Sequence, residues 1–552
     1  MNDFASKIYS AAKQAVKEVY DLDAAEGQLV IETPQDKKLG DYSTSIAMKL
    51  SRTLRRNPME IAEPLRTKLA ELLPECESVT VARPGFINFK LKQGALASLI
   101  NNVIAAGDNY GKNDSGKGKR VLLEWVSANP TGDLHCGHAR NAAWGDCIAR
   151  MMEASGWDVL REFYVNDAGN QIVKLGESIT ARYFEHFGKE YPLPEDGYHA
   201  ADIKDIAAQI AAEDGDKWLT AESKERLRYF MDYGKQKELE KIDRDLKAYR
   251  VTMQSWMHET FFYENDAKRI KDCLQHMTDM GLTYEKDGAL WFKSTDYGDD
   301  KDRVLRKSDG TFAYLTPDIA NHVYKIQRGY PILVNLWGAD HHSYVTRMQN
   351  ALTALGYPEG TLSVDLIQMV RMVEDGVEVK MSKRTGNAIT IRELCEDIGV
   401  DAARWFFVSK DVATHMDLDL KLARSRDNNN PVYYAQYAYS RMCSILKNPQ
   451  IPEFKAVDVY ERLTDEKELQ LLKMIGEFPK EVAADALNRK PNKMTDYIIS
   501  LVRVFHSYYN STKVNNPDDT ALTNERLGLI KATMITLKNA LTLIGVTAPE
   551  KM

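Results

Sequence analysis

The stretch from Val121 to Asn141, VLLEWVSANPTGDLHCGHARN, constrains this chain more than any other. VLLEWV (121–126) is a short apolar run that reads as a buried strand. Asn129-Pro130-Thr131-Gly132-Asp133 breaks it, and from about Cys136 to Gly156 small and apolar residues recur at helical spacing. Strand, tight loop and helix in that order aim backbone N–H groups and the positive end of a helix dipole at the space over the loop, which suits a phosphate. His135 and His138 stand at the loop-to-helix junction, and Gly137 between them leaves room for a nucleotide to approach.

The rest of the chain is long enough to build on that unit. With 552 residues, of which 44% are hydrophobic, it can bury large cores and is expected to form about three domains. No run of 18 uncharged apolar residues occurs, and the amphipathic start MNDFASKIYSAAKQAVKEVY lacks a signal-peptide core, so a soluble cytoplasmic protein without a membrane partner is expected. The six cysteines are scattered with no CxxC pair, which argues against a disulfide framework and a thiolate zinc site. Net charge is −7, yet basic residues outnumber acidic ones by 15 to 14 in residues 1–112 and by 16 to 14 in 431–552. A bound polyanion would therefore find its main contacts at the two ends.

Residues 1–112 read as a small α/β domain: a helix near 3–20, strand-like QLVIETP, two helices parted at Asn57-Pro58, and a hairpin turning at Pro84-Gly85. Arg52, Arg55 and Arg56 cluster on one helix, as a solvated face or a surface for RNA backbone. Residues 113–430 read as a doubly wound parallel-sheet domain. WDVLREFYVND is its next strand, and a polar helical insertion at about 188–265 shows no chemistry. The sheet is expected to resume with GALWFK and TFAYLTPDIA. GYPILVNLWGADHHSYVTRMQNALTALGY then repeats the strand, glycine turn and helix, setting Gly338, Asp340, His341 and His342 at a strand's carboxyl end. A hairpin turning at Asp375-Gly376 runs into a basic loop, Lys380-Met381-Ser382-Lys383-Arg384. From about 392 onward the periodicity is helical throughout, and 431–552 read as a helical bundle with Tyr433, Tyr434, Tyr437 and Tyr439 at its entrance.

H-x-G-H alone could be a structural turn, and KMSKR alone a solvated basic loop. Their combination, H-x-G-H after the first strand and K-M-S-K after a second half-sheet, is much rarer. In these features the chain resembles the class I aminoacyl-tRNA synthetases, where HCGH stands for the HIGH motif and KMSKR for the KMSKS loop. It resembles the arginyl-tRNA synthetases in particular through E-x-x-S-x-N-P-T-G-x-L-H at 124–135, Tyr314-Leu-Thr-Pro-Asp318-Ile-Ala, GADHH at 338–342 and VFHSYYN at 504–510. GDYSTSIA, PGFINF and the terminal APEKM extend the likeness over nearly the whole chain. Cys136 replaces the isoleucine of HIGH, a tolerable exchange of one small hydrophobe for another. Many arginine members lack a complete K-M-S-K, whereas both lysines are present in this sequence.

The resemblance implies an arginine–tRNA ligase that uses ATP and Mg2+, forms arginyl-adenylate and transfers arginine to the terminal adenosine of tRNA(Arg). It implies that His135 and His138 donate to the α-phosphate, that Lys383 assisted by Lys380 holds the β- and γ-phosphates, and that Gly137, Gly338, Asp340, Met381 and Ser382 line the ATP. It implies an arginine site made of Glu124, Ser127, Asn129, Tyr314, Asp318 and His342, with Glu259 a weaker acidic candidate. A guanidinium offers a planar fork of five donors, for which a carboxylate is the best acceptor. Taken without the resemblance, Asp318 could equally cap the helix that begins near Ile319. The resemblance also implies a monomer, with residues 1–112 as an additional tRNA-binding domain and 431–552 at the anticodon. Three other readings compete. The cysteine-type synthetase needs a zinc cluster that these cysteines do not form, and the small nucleotidyltransferases lack the helical bundle. A non-catalytic tRNA-binding relative has no need of intact His135, His138, Lys380 and Lys383.

Overall fold

A computed structural model describes residues 4–24, 27–32, 34, 39–92, 99–379 and 388–552. The first body is α/β. Helices α1 (Phe4–Tyr20), α2 (Ile46–Leu54) and α3 (Pro58–Leu72) cover an antiparallel sheet. Its strands are β1 (Ile31–Glu32), β2 (Tyr42–Thr44), β3 (Cys76–Ala82) and β4 (Phe86–Leu91), in the order β1-β2-β4-β3. Asn57 starts α3 by accepting from the Met59 N–H, with Pro58 in the first turn, where a missing N–H costs nothing. Ile8, Ile46, Ile61, Leu65 and Phe89 are fully buried between the layers.

The second body is built on five parallel strands: β5 (Arg120–Glu124), β6 (Asp158–Val165), β7 (Ser255–His258), β11 (Ile332–Gly338) and β12 (Leu362–Ile367). They lie in the order β12-β11-β5-β6-β7, so the connections run outward in opposite directions from β5 and β11. The crevice beyond the carboxyl ends of those two strands is where such sheets bind ligands. Val121, Leu122, Leu123, Leu333 and Val334 are buried, as expected of central strands covered on both faces. β5 ends two residues short of the expected strand because Val126 and Ser127 take φ of +67° and +41°, turning the chain sharply over the strand's end.

Four expectations need correction. GALWFK does not rejoin the parallel sheet: β9 (Ala289–Phe292) pairs antiparallel with β8 (Thr283–Lys286) and β10 (Arg303–Arg306) in a separate small sheet. TFAYLTPDIA enters the helix Leu315–Gln327, since Pro317 is tolerated in a first helical turn but not in a central strand. The insertion ends earlier than residue 265, because Ser255–His258 is the edge strand β7; four half-buried residues in a row show no alternation to betray it. Its helices Ala201–Asp214 and Ser223–Ala248 form their own core with Asn170–His186, around Ile179, Tyr183, Ile206 and Phe230. Finally, the region after 392 is not all helical. β15 (Met416–Asp419) lies parallel beside β13 (Val370–Glu374), which forms the expected hairpin with β14 (Val377–Glu378) across Asp375-Gly376.

The bundle consists of helices Pro431–Leu446, Glu466–Asn488, Pro491–Ser511 and Thr520–Leu543, capped by Asn430, Asp465 and Asp519 where a cap bond forms. Its core is continuous with that of the parallel sheet. Of the four tyrosines at its entrance, Tyr439 is core, while half-buried Tyr433, Tyr434 and Tyr437 gather around His506. No described helix is long and apolar enough to cross a membrane.

Candidate active site

His135 is the N-cap of the helix Cys136–Ala154. Its Nδ1 accepts from the Gly137 N–H at 3.1 Å, and the His138 Nδ1 accepts from the His135 N–H at 3.3 Å. The two rings stack with centroids 3.8 Å apart. Gly137 is needed for this fold-back, because a Cβ there would sit 3.0 Å from the His135 ring. Burial pushes both imidazoles below their ordinary pKa, His138 to about 3, with His135 adding to the effect on its neighbour. Each neutral ring spends Nδ1 as an acceptor, so its proton sits on Nε2, leaving two neutral N–H donors at a helix N-terminus.

Lys380, Met381, Ser382 and Lys383 lie outside the described residues, but the chain on their far side is fixed against the histidines. The Cys136 N–H donates to the Ile389 carbonyl at 3.2 Å, and the Ile391 N–H to the Leu134 carbonyl at 2.8 Å, around a bridge between His135 and Thr390. Thr390 and Glu393 close a capping box that starts the next helix, Ile391–Ile398. Cys136 is half-buried with its thiol pKa raised by burial, which fits a packing residue rather than a reactive one.

On the other side of the crevice, Asp318, His322 and Lys325 share one face of the helix Leu315–Gln327. Tyr344 donates its hydroxyl to Asp318. The His322 Nδ1–H reaches the Asp318 carbonyl at 2.8 Å, and its Nε2 accepts from Asn335 on β11 at 3.0 Å, which locks the helix to the sheet. Asp318 is thus not a helix cap. Its carboxyl is pushed up to about 6, chiefly by burial, with the Tyr344 bond opposing and Glu124 adding. Glu259, just past β7, is pushed up to about 7 by burial, then by Asp318 and Asp167. The Tyr164 hydroxyl is buried beside these carboxylates without a hydrogen-bond partner among the described residues, its own pKa raised by burial and by Asp318, Glu259 and Glu124. Two carboxylates and an orphan hydroxyl face one another here, and no ion pair to Asp318 or Glu259 is formed among the described residues. Lys325, whose charge opposes the rise at Asp318, is itself paired with Glu124, so among the described residues no cation with several donors contacts Asp318 or Glu259.

The sequence-marked residues divide accordingly. Glu124 is only 6% exposed, paired with Lys325 and accepting from the Ser127 hydroxyl at 3.2 Å, so it underlies the pocket. Ser127 is occupied as well, accepting from the Tyr164 N–H at 3.1 Å. Asn129, Tyr314 and His342 are exposed around the crevice mouth, Tyr314 at 78%. Gly338 ends β11, and exposed Asp340 follows it so closely that a Cβ on Gly338 would lie 2.6 Å from its carboxylate. Sequence reasoning missed Lys325, Tyr344 and Tyr164; the i, i+4, i+7 spacing of Asp318, His322 and Lys325 was the available signal for the first.

Comparison with known proteins agrees in every region. Residues 6–91 match the arginyl tRNA synthetase N terminal domain, 99–419 the catalytic domain of class I (R) tRNA synthetases, and 435–552 the DALR anticodon binding domain. An arginine–tRNA ligase of Bacillus subtilis is 50% identical over 95% of this chain and 94% of its own length. One of Oceanobacillus iheyensis is 48% identical over the same shares. The solved arginyl-tRNA synthetase of Thermus thermophilus shares the fold, with a TM-score of 0.75 over 99% of this chain and all of that one at 22% identity.

Proposed function

The chain belongs to the arginyl-tRNA synthetases and is an arginine–tRNA ligase of class I; from that premise we infer how its two half-sites divide the reaction. The observation that carries the division is the pocket of Asp318 and Glu259, two raised carboxylates with no ion pair among the described residues. A guanidinium supplies the missing charge and donors. In this reading Asp318 and Glu259 accept from the arginine side chain, and Tyr314 and His342 close over it at the mouth. Asn129 holds the amino acid's backbone groups. Glu124 and Ser127 act through the scaffold beneath, Glu124 by adding negative potential and by holding Lys325. A site of this kind rejects other amino acids by leaving buried carboxylates unpaired, so no second editing site is required.

The arginine carboxylate attacks the α-phosphorus of ATP in line; the P–O bond to pyrophosphate breaks as the acyl–phosphate bond forms. Charge gathers on the non-bridging oxygens of the α-phosphate, and the Nε2–H groups of His135 and His138 are fixed donors for it that need no reorganisation. Gly137, Gly338 and Asp340 border the nucleotide. Lys383, with Lys380, neutralises the β- and γ-phosphates, and Met381 and Ser382 complete that loop. Mg2+ would ride on the phosphate oxygens and share their charge; among the described residues no group of three or more His, Cys, Asp or Glu gathers to hold it. The terminal adenosine's 2′-hydroxyl then attacks the adenylate carbonyl, releasing AMP.

Residues 431–552 would meet the anticodon of tRNA(Arg), 1–112 another part of the tRNA, and 113–430 the acceptor end. Activation waits for bound tRNA, and the enzyme works as a cytoplasmic monomer. Charging total tRNA with each of the twenty amino acids, with and without ATP, tests the whole reading. Arginine alone should be transferred, and only with ATP; equal transfer of lysine would overturn the pocket assignment.

A further inference from the structure

One helix of the insertion, Ser223–Ala248, touches both half-sites with a single face. Lys241 is 13% exposed and reaches Asp133, two residues before His135, at 3.3 Å; Glu238 at 2.7 Å and Asp202 hold the ammonium from the other side. One turn further on, buried Asp245 accepts from Arg392 at 2.9 and 3.1 Å. Arg392 stands two residues past Thr390, on the segment hydrogen-bonded to Leu134 and Cys136. Lys241 and Asp245 therefore grip opposite sides of the seam that joins the histidine loop to the far flank of the lysine loop. Six residues before Lys241, Lys235 reaches Asp167 at 3.2 Å. Asp167, whose side chain is fully buried, also binds His258 at 2.8 Å, the Thr260 N–H at 2.9 Å and the Thr260 hydroxyl at 3.1 Å, bracketing Glu259 on both sides.

We propose that the helix Ser223–Ala248 is a positioning strut, with Lys241 and Asp245 setting the nucleotide seam through Asp133 and Arg392, and Lys235 setting Glu259 of the amino-acid pocket through Asp167. The spacing fits this role. Residues 238, 241 and 245 recur at three and four positions and so share a helix face, with 235 at its upper end. The contacts also fit it, because each ends on a side chain of Asp133, Arg392 or Asp167, which stand beside a binding residue or hold its neighbours, rather than on the binding residue itself. A charged face that merely solubilised the insertion would lie in water, as the exposed Lys247–Asp243 pair of the same helix does at 2.6 Å. The strut fixes the distance between arginine carboxylate and α-phosphate from outside the crevice, and small misplacements there are costly for an in-line reaction.

The proposal rests on the reading that ATP lies along the His135 seam, and the test keeps the two apart. ATP–pyrophosphate exchange is measured with the full chain, arginine and tRNA(Arg), for Lys241→Met, Asp245→Asn, Lys235→Met, Lys247→Met and His135→Ala. Loss of a network member of this kind should cost about tenfold. Lys241→Met and Asp245→Asn should raise the KM for ATP by that factor and leave the KM for arginine within twofold. Lys235→Met should do the reverse, and Lys247→Met should change neither. A loss of folded enzyme lowers kcat but moves no KM, so a purely structural role cannot give this crossed pattern. The exchanged pair Asp245→Arg with Arg392→Asp should recover most of the loss seen in Asp245→Asn. If His135→Ala impairs ATP use while Lys241→Met and Asp245→Asn move both KM values together or neither, the strut is overturned and the site stands. If His135→Ala has no effect on ATP use, the reading of the site itself fails, and the strut with it.

Discussion

The two sides of the crevice contain opposite chemistry produced by the same force. Around Asp318 and Glu259, burial disfavours the ionised carboxylates and pushes them to about 6 and about 7. Around His135 and His138, burial disfavours imidazolium and pushes His138 to about 3. The first side is left short of a positive charge, and a ligand must bring it. The second is left neutral and needs no partner, so its donors stand ready for charge that develops only during reaction. On the proposed reading one side selects the amino acid and the other stabilises a transition state, and perturbations should separate them.

The largest effect is expected beneath the pocket. Lys325 is fully buried between Glu124 and Glu162, the latter at 3.8 Å. Lys325→Met would strand the buried carboxylate of Glu124, while Glu162 keeps Arg328 at 2.5 Å, and breaking a buried pair of this kind costs about 3–5 kcal/mol. The midpoint of thermal unfolding should fall sharply, whereas Glu124→Gln combined with Lys325→Met should recover much of the loss. An unchanged midpoint for the single variant would show that the pocket floor is not held by charge. Asp318→Ala comes next. Truncating one partner of a buried charged contact costs about 2–5 kcal/mol, so the KM for arginine should rise by roughly 30-fold or more while that for ATP stays put. Equal changes in both constants would erase the distinction between the two sides.

The nucleotide side should fail differently. His135→Ala removes one fixed donor, which typically costs about 10²-fold in kcat. Arginine binding, followed by its effect on the unfolding midpoint in the absence of ATP, should be untouched. His138→Ala should resemble it, with a further effect on ring placement because its Nδ1 accepts from the His135 N–H. Weakened arginine binding in either variant would mean that the halves are not separable in this way.

How far these sides were legible in sequence follows the same divide. The histidine loop is local: a strand, a break, an N-cap and a helix lie within one short stretch, and the local signals agree with the fold. The pocket is tertiary. Asp318 reads as a possible helix cap until Tyr344, 26 residues away, is seen to bind it. Glu124 reads as a ligand contact until Lys325, 201 residues away, is seen to occupy it. SWMH carries no alternation to mark it as the strand β7 rather than part of the insertion, and the apolar run GALWFK does not say which sheet it joins. The lysine loop was the reverse case, plain in sequence as KMSKR, while only its flank at Ile389–Ile391 is described in the structure.

The smallest effect is the one that reads the two environments most directly. On the proposed reading arginine needs ionised carboxylates, and those of Glu259 and Asp318 gain protons as pH falls through about 7 and about 6 respectively, rather than near their ordinary values. kcat/KM for arginine should therefore decline by about tenfold per unit between pH 7 and 6 and approach about a hundredfold per unit below pH 6, where both must lose a proton against their bias. His138 adds no transition between pH 5 and 8, since burial holds it near 3. Stability is linked with the opposite sign. A carboxyl whose folded pKa is raised contributes stability that is fully present below its unfolded pKa near 4 and lost as pH rises through 6 to 7. The empty pocket is thus least stable when its carboxylates are charged, and the rise in unfolding midpoint produced by arginine should be larger at pH 8 than at pH 5.5. A shift of equal size at both values would mean that the guanidinium does not complete the charge of this pocket.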